Sequence, residues 1–318
     1  MAEMRRALAI GINNYPWAPL SGCVEDAERI AQLVGTNADG SPNFSCRSLV
    51  DPPQSITVRI VREAIERLFA QPTDLALFYF SGHGTENNLG GYLVTPDAEQ
   101  YSEGVSMTEL LTRANDSKVA EVLLILDCCH SGHLGAIPGI ANDSAVLRQG
   151  VSVLSASRAG EASFETSTGG VFTRLVCDAL DGGAADVVGD VTAASIYAYV
   201  DEALGPWDQR PLFKAHVARM TSIRRNTPAV PITELRRLPS LFDRLDVKMP
   251  LDPSFEPTAD PPDSAHEEIF AILQRCRAAK LIEPVGEEHL YYAAMNSKAC
   301  RLTPLGQRYW RLAKDHLL

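Results

Sequence analysis

Four short apolar runs punctuate the first half of the chain: residues 5–12 (RRALAIGI), 75–81 (LALFYFS), 122–126 (VLLIL) and 151–155 (VSVLS), each bounded by Gly, Asn, Asp or Ser. Runs of that length, apolar at consecutive rather than alternate positions, predict strands covered on both faces, as in a parallel sheet. Between them apolar residues recur at helical spacing. Val24, Ala27, Ala31 and Val34 share one face, as do Val58, Val61, Ile65 and Leu68, and Met107, Leu110 and Leu111 open a third helix. Residues 172–180 and 193–204 supply two more, each after a polar or glycine-rich turn. Strand and helix alternate, so the expected fold class is α/β: a three-layer α/β/α sandwich around a mostly parallel central sheet.

The pattern changes after Arg225. Residues 226–263 hold many prolines and one short helical stretch, around Ile232 to Leu245, and read as a linker or a surface arm. From Ser264 periodicity returns, with a helix led by Ile269, Phe270 and Leu273, a strand expected at Leu290-Tyr291-Tyr292, and a closing helix over LTPLGQRYWRLAKDHLL. Thr303 and Pro304 suit the cap and first turn of that helix. The expected organisation is therefore a main domain over 1–225, a Pro-rich segment over 226–263 and a small winged-helix-like domain over 264–318.

Composition narrows the function classes. No apolar run approaches the roughly 20 residues that span a bilayer, and Asn13 and Asn14 interrupt the first apolar stretch too early for a signal peptide, so the expectation is a cytoplasmic protein without a membrane partner. Seven scattered cysteines, an odd number, suit free thiols in a reducing compartment. The net charge is −11. Residues 1–225 carry 17 Lys and Arg against 27 Asp and Glu, whereas residues 264–318 carry 8 against 6. So acidic a body disfavours nucleic acid and favours cationic ligands, and the small basic surplus of the tail fits a regulatory protein partner better than DNA.

Two loops carry the candidate chemistry. Ligand sites of open α/β sheets lie beyond the carboxyl ends of the strands. After LALFYF comes Ser81-Gly82-His83-Gly84, and after VLLIL comes Asp127-Cys128-Cys129-His130-Ser131-Gly132. A cysteine at one strand end facing a histidine at the next suits thiolate chemistry, since an imidazolium lowers the thiol pKa and later protonates a leaving amine. Adjacent cysteines fit tetrahedral zinc poorly, so no metal is expected there. His130 and His133 read as local scaffolding. Either cysteine could be the reactive one on these grounds, and either could be a buried filler.

His83 and Cys129 are 46 residues apart, close to the roughly 50 of caspases. GHG followed by D-x-C-H-S-G resembles the metacaspases and the wider prokaryotic caspase-like cysteine peptidases. The resemblance extends over residues 1–225: LSGCVEDAERIAQLV is similar to their early GC-x-x-DA segment, and SASRAGEASFE followed by GGVFTRLV to the start of their small-subunit half. It implies a caspase-like fold and a cysteine endopeptidase with Cys129 as nucleophile and His83 as base and acid. The N–H groups of Cys129 and Gly84 would then bind the oxyanion. The pocket for the residue before the scissile bond would be lined by Cys23, Asp26, Ser81 and Asp127, and two carboxylates there imply protein or peptide substrates cut after Arg or Lys.

Some metacaspases need calcium. Here Val105-Ser106-Met107-Thr108 and Leu93-Val94 stand where acids are common, and Asp97 with Glu99 would make a poor cage, so no cofactor is expected. The small-residue-rich segment 132–150 reads as mobile, with Arg148 its one basic residue and the candidate self-cleavage site. The resemblance further implies a regulated effector in a prokaryotic defence or cell-death pathway. Two other readings stand beside it: a catalytically silent caspase-like scaffold, and a regulator with a DNA-binding tail.

Overall fold

The computed structural model describes residues 4–52, 55–87, 90–99, 102–129, 146–156, 165–166, 169–204 and 211–318. They fall into two compact units. The first comprises residues up to Ala185 together with Asp190–Asn226, and the second Asp186–Gly189 with Thr227–Leu318.

The first unit is built on a sheet of β1 (Arg5–Gly11), β2 (Ser45–Val50) and β3 (Leu75–Asn87), then β4 (Gly90–Glu99) and β5 (Ser102–Ser106), then β6 (Glu121–Cys129) and β7 (Val151–Ser155); β1, β3, β6 and β7 follow the predicted apolar runs. Two-residue strands β8 (Glu165–Thr166) and β9 (Gly169–Gly170) form a separate hairpin, and β10 (Asp190–Val191) pairs with a later strand outside the main sheet. With β11 (Leu212–His216), the order is β11-β7-β6-β3-β1-β2. β1, β2, β3, β6 and β7 run parallel, β11 closes one edge antiparallel, and β4 and β5 extend the far end of β3 as an antiparallel meander. β12 (Arg224–Arg225) is the partner of β10.

Strand alternation divides the core into two layers. Leu8, Ile10, Phe78, Phe80, Leu124 and Leu126 face one side, whereas Ala7, Ala9, Leu77, Tyr79, Leu123 and Ile125 face the other. On that second side lies α1 (Cys23–Gly35), which buries Ala27, Ile30 and Val34. The first side is covered by α2 (Val58–Phe69), capped by the Thr57 hydroxyl on the Ile60 N–H, and by α3 (Met107–Asp116). Two further helices, α4 (Val171–Asp178) and α5 (Ala193–Leu204), join α1. Because both faces are covered, the strand interiors are apolar throughout, which is what made them legible. β2 was not expected from the sequence: it is an edge strand whose first four residues are exposed, so it lacks the apolar signature.

The second unit corrects the expectation for residues 226–263. They are not an arm, because Val230, Leu235, Leu238, Phe242, Leu251 and Phe255 are buried in this unit's core with Phe270, Leu273 and Trp310. Two short helices, α6 (Ile232–Leu235) and α7 (Leu238–Leu241), and strand β13 (Lys248–Pro250) come from this segment. After them come α8 (Ser264–Ala278), β14 (Ile282–Val285), α9 (Leu290–Met295), β15 (Ala299–Leu302) and α10 (Pro304–Lys314). The antiparallel sheet has the order β13-β15-β14, so the part after Ser264 takes its third strand from the Pro-rich segment. Leu290-Tyr291-Tyr292, expected as a strand, is the first turn of α9: Leu290, Ala293 and Ala294 are buried at helical spacing. Thr303 caps α10 as expected, accepting the Gly306 N–H at 3.1 Å.

Candidate active site

The parallel pairing of β3 with β6 sets the site. Ser81 stands opposite Asp127, Gly82 opposite Cys128 and His83 opposite Cys129, at the carboxyl ends of both strands. The backbone thus brings the two candidate catalytic residues together as lateral neighbours, although 46 residues separate them in sequence.

His83 is 2% exposed. Its Nε2 lies 2.7 Å from the Ala18 carbonyl oxygen, which can only accept, so Nε2 carries the proton. In the neutral ring Nδ1 is then the basic atom. It is buried and has no hydrogen-bond partner among the described residues. The His83 N–H donates to the Tyr15 hydroxyl at 3.1 Å, and the two rings lie 4.5 Å apart at their centroids.

Burial decides the role of Cys128, the first of the two adjacent cysteines. Cys128 is 1% exposed, belongs to the apolar core and lies against Gly84; burial pushes its thiol well above the ordinary range. A thiol so placed is a filler and not a nucleophile. Cys129 ends β6, and His130, Ser131, Gly132 and His133 lie outside the described residues.

The residues expected to line the specificity pocket gather beside this pair. Cys23 and Asp26 open α1, and the Cys23 N–H donates to Asn13 Oδ1 at 3.0 Å. Ser81 and Asp127 are buried register partners. Asp26 and Asp127 converge on Gly170, which precedes α4. The Gly170 N–H donates to Asp26 Oδ2 at 3.2 Å, while a Cβ on Gly170 would lie 2.4 Å from Asp127 Oδ2, so only glycine fits there. Asp127 Oδ2 also accepts the Thr173 hydroxyl at 2.6 Å, and Thr173 in turn lies 2.6 Å from the Tyr79 hydroxyl. Burial first, and then the charge of Asp127, push the Asp26 carboxyl up to about 7. A cation bound beside both acids would favour their ionised forms.

Sequence reasoning missed Tyr15, Thr173, Gly170 and the Ala18 carbonyl. Tyr15 and Ala18 belong to the NNYPWA turn beyond β1, a strand end where ligand sites are expected, and that position was their one available signal. The turn is anchored by Asp51, whose carboxylate accepts the N–H groups of Asn13 and Asn14, both at 2.9 Å.

Two other expectations fall elsewhere. Arg148 lies near the amino ends of the strands, and its guanidinium donates to the carbonyls of Ala114, Val119 and Gln149 and to the Ser117 hydroxyl at 2.6–3.3 Å. Cleavage after it would require those bonds to break; residues 130–145 of the same segment are outside the described set. Asp97 spends its carboxylate on the Val58 N–H at the start of α2, at 3.1 Å. Among the described residues no group of three or more His, Cys, Asp or Glu is placed to hold a metal ion.

Residues 4–225 match the caspase domain family. Metacaspase-2 of Trypanosoma brucei brucei is 31% identical over 152 residues, covering 42% of this chain and 43% of the relative. Metacaspase-1 of Candida glabrata is 24% identical over 166 residues, 47% of this chain and 42% of the relative. The chain thus spans less than half the length of these relatives. Among solved structures, protein GSU0716 of Geobacter sulfurreducens superposes with a TM-score of 0.53 at 18% identity, covering 71% of this chain and 98% of that one. Caspase-1 of Spodoptera frugiperda gives 0.52 at 11% identity, covering 70% and 91%. At those identities the likeness is one of fold.

Proposed function

Since this chain belongs to the caspase domain family, we propose that it is a cysteine endopeptidase with a His83–Cys129 dyad that cuts protein or peptide chains after Arg or Lys. One observation carries the dyad: a buried histidine whose Nε2 is committed to a carbonyl and whose Nδ1 is without a partner, in register with a cysteine across β3 and β6. A structural histidine would use both nitrogens.

In this mechanism Nδ1 takes the Cys129 thiol proton, and the thiolate attacks the scissile carbonyl carbon. The carbonyl electron pair moves onto oxygen, where the N–H groups of Cys129 and Gly84 receive it. One such donor is worth a factor of about 10² to 10³ in rate. As the C–N bond breaks, the imidazolium gives its proton to the leaving amine. Water then hydrolyses the thioester, with Nδ1 again accepting a proton and returning it to sulfur.

The basic specificity is supported by the acid pair. Asp26 and Asp127 are drawn together at Gly170, and burial first and then the Asp127 charge raise the Asp26 pKa, a cost that a guanidinium or ammonium bound between them would offset. An aspartate side chain would be repelled by the same floor. Cys23 and Ser81 shape the walls.

A panel of fluorogenic peptides differing only in the residue before the scissile bond tests both parts. Arg- and Lys-ended peptides are expected to be turned over by the intact protein, and Cys129→Ala and His83→Ala to abolish that turnover. Preference for Asp-ended peptides would overturn the specificity, and activity surviving Cys129→Ala would overturn the dyad.

A further inference from the structure

Tyr15 is 2% exposed, and three chain segments meet at its hydroxyl. That oxygen accepts the His83 N–H at 3.1 Å and donates to the Val94 carbonyl at 3.1 Å. Val94 sits in β4, which pairs with β3 from Gly84 onward. One phenol therefore joins the turn after β1, the histidine and the strand into which β3 folds back. Three residues further along the same turn, the Ala18 carbonyl accepts the proton of Nε2. The turn thus grips His83 twice, by its backbone and by its ring. Burial pushes the Tyr15 phenol well above its ordinary pKa, so the hydroxyl keeps its proton and stays a donor to Val94.

Gly82 completes the arrangement. A Cβ at that position would lie 2.5 Å from the Tyr15 hydroxyl oxygen and 3.0 Å from the Phe80 ring. The space beside the histidine that a side chain would take is occupied by the phenol.

We propose that Tyr15 is a positioning residue for His83: its hydroxyl fixes the histidine backbone, and with it the presentation of Nδ1, while Gly82 is glycine to make room for that hydroxyl. The role rests on the dyad reading and adds a residue to it. The contacts of Tyr15 are with the histidine and the β4 backbone, so its effect passes through the imidazole.

Misplacing a reacting group by about 1 Å can cost about 10²-fold. In the full-length protein Tyr15→Phe, which keeps the ring and removes the hydroxyl, is expected to lower kcat by about 10- to 100-fold while KM for an Arg-ended peptide stays within about two-fold. The second readout is alkylation of Cys129 by iodoacetamide against pH. A loosened imidazole stabilises the thiolate less, so the profile should move to higher pH by about half a unit or more. A merely structural tyrosine would lower the denaturation midpoint and leave that profile where it was, which overturns the proposal. Gly82→Ala, which leaves Tyr15 chemically intact, is the second variant and should shift the profile the same way. Its destabilisation should be smaller in a Tyr15→Phe background than in the wild type; equal destabilisation in both overturns the interlock. Turnover that survives Cys129→Ala overturns the dyad reading and the positioning role with it. Turnover lost in Cys129→Ala yet unchanged in Tyr15→Phe overturns the positioning role alone.

Discussion

The two ends of the central sheet treat polar groups in opposite ways. At the amino ends of β6 and β7, Arg148 donates to three carbonyls and a hydroxyl, and the Glu121 carboxylate takes the Thr221 hydroxyl and N–H and the Arg219 guanidinium. At the carboxyl ends, Nδ1 of His83 has no partner among the described residues, and burial, with the charge of Asp127 behind it, raises the Asp26 pKa. Polar groups at the first end complete a structure. Those at the second are held incomplete, which costs stability and is what a reacting substrate could complete. Substitutions should therefore separate cleanly: at the carboxyl ends they change turnover, and at the amino ends they change stability.

The largest effect is expected at the acid pair. Asp127→Asn keeps the shape and the Thr173 contact but removes a charge, and should lower kcat/KM for Arg-ended peptides by about 10²- to 10³-fold, in line with about 3 to 4 kcal/mol for an unpaired guanidinium partner in a buried site. Neutral-ended peptides should lose far less. Steady-state kinetics on the two peptide types checks this, and equal losses on both would mean that Asp127 serves the fold and not the pocket.

At the other end, Arg148→Ala removes a charged donor from four acceptors and should cost about 2 kcal/mol in urea denaturation, with kcat unchanged. If instead the denaturation midpoint holds and a cleavage product seen in the wild type disappears, Arg148 is the self-cleavage site that the sequence suggested. Mass spectrometry of the two purified proteins separates these outcomes.

How much of this was legible depends on what each group uses to act. The parallel strands were readable because two covered faces leave continuous apolar runs, and the two candidate loops because glycines follow both strand ends, with an acid at the second. Edge strand β2 was not, since solvent tolerates its polar residues. The segment 226–263 was misread because its prolines were counted as breakers, while Val230, Leu235, Leu238 and Phe242, spaced among them, carry the packing. At the site, Ala18 acts through its carbonyl and Gly170 through its N–H, which no side chain announces. Thr173 looked like any helix residue until α4 was placed against Asp127.

A smaller effect should follow pH. Asp26 is raised from an ordinary 3.8 to about 7, so it is protonated in the folded protein below that value and charged above it. Affinity for an Arg-ended peptide should therefore rise as pH increases from 6 to 8, by about tenfold, a change of about 1.4 kcal/mol. Titrating the peptide into Cys129→Ala protein keeps the thiol out of the measurement. In stability the sign reverses: a raised pKa favours the folded state at low pH, and that contribution is lost as pH rises through about 7. Asp26→Asn should flatten both dependences, and an unchanged pH slope in that variant would place the titrating group elsewhere.

The smallest effect sharpens the comparison at its quiet end. Arg219 pairs with Glu121 at 3.2 Å, but its side chain is 78% exposed, whereas Glu121 is 15% exposed and keeps Thr221 as a partner when the arginine is gone. An ion pair with one solvated member is screened and contributes little. Arg219→Ala should change stability by less than about 0.5 kcal/mol and leave kinetics untouched. Glu121→Ala, by contrast, strips acceptors from the Thr221 hydroxyl and N–H together, so its cost should exceed that of the arginine. Denaturation of both variants side by side decides it: if the arginine proves the costlier loss, charge and not hydrogen bonding closes this end of the sheet.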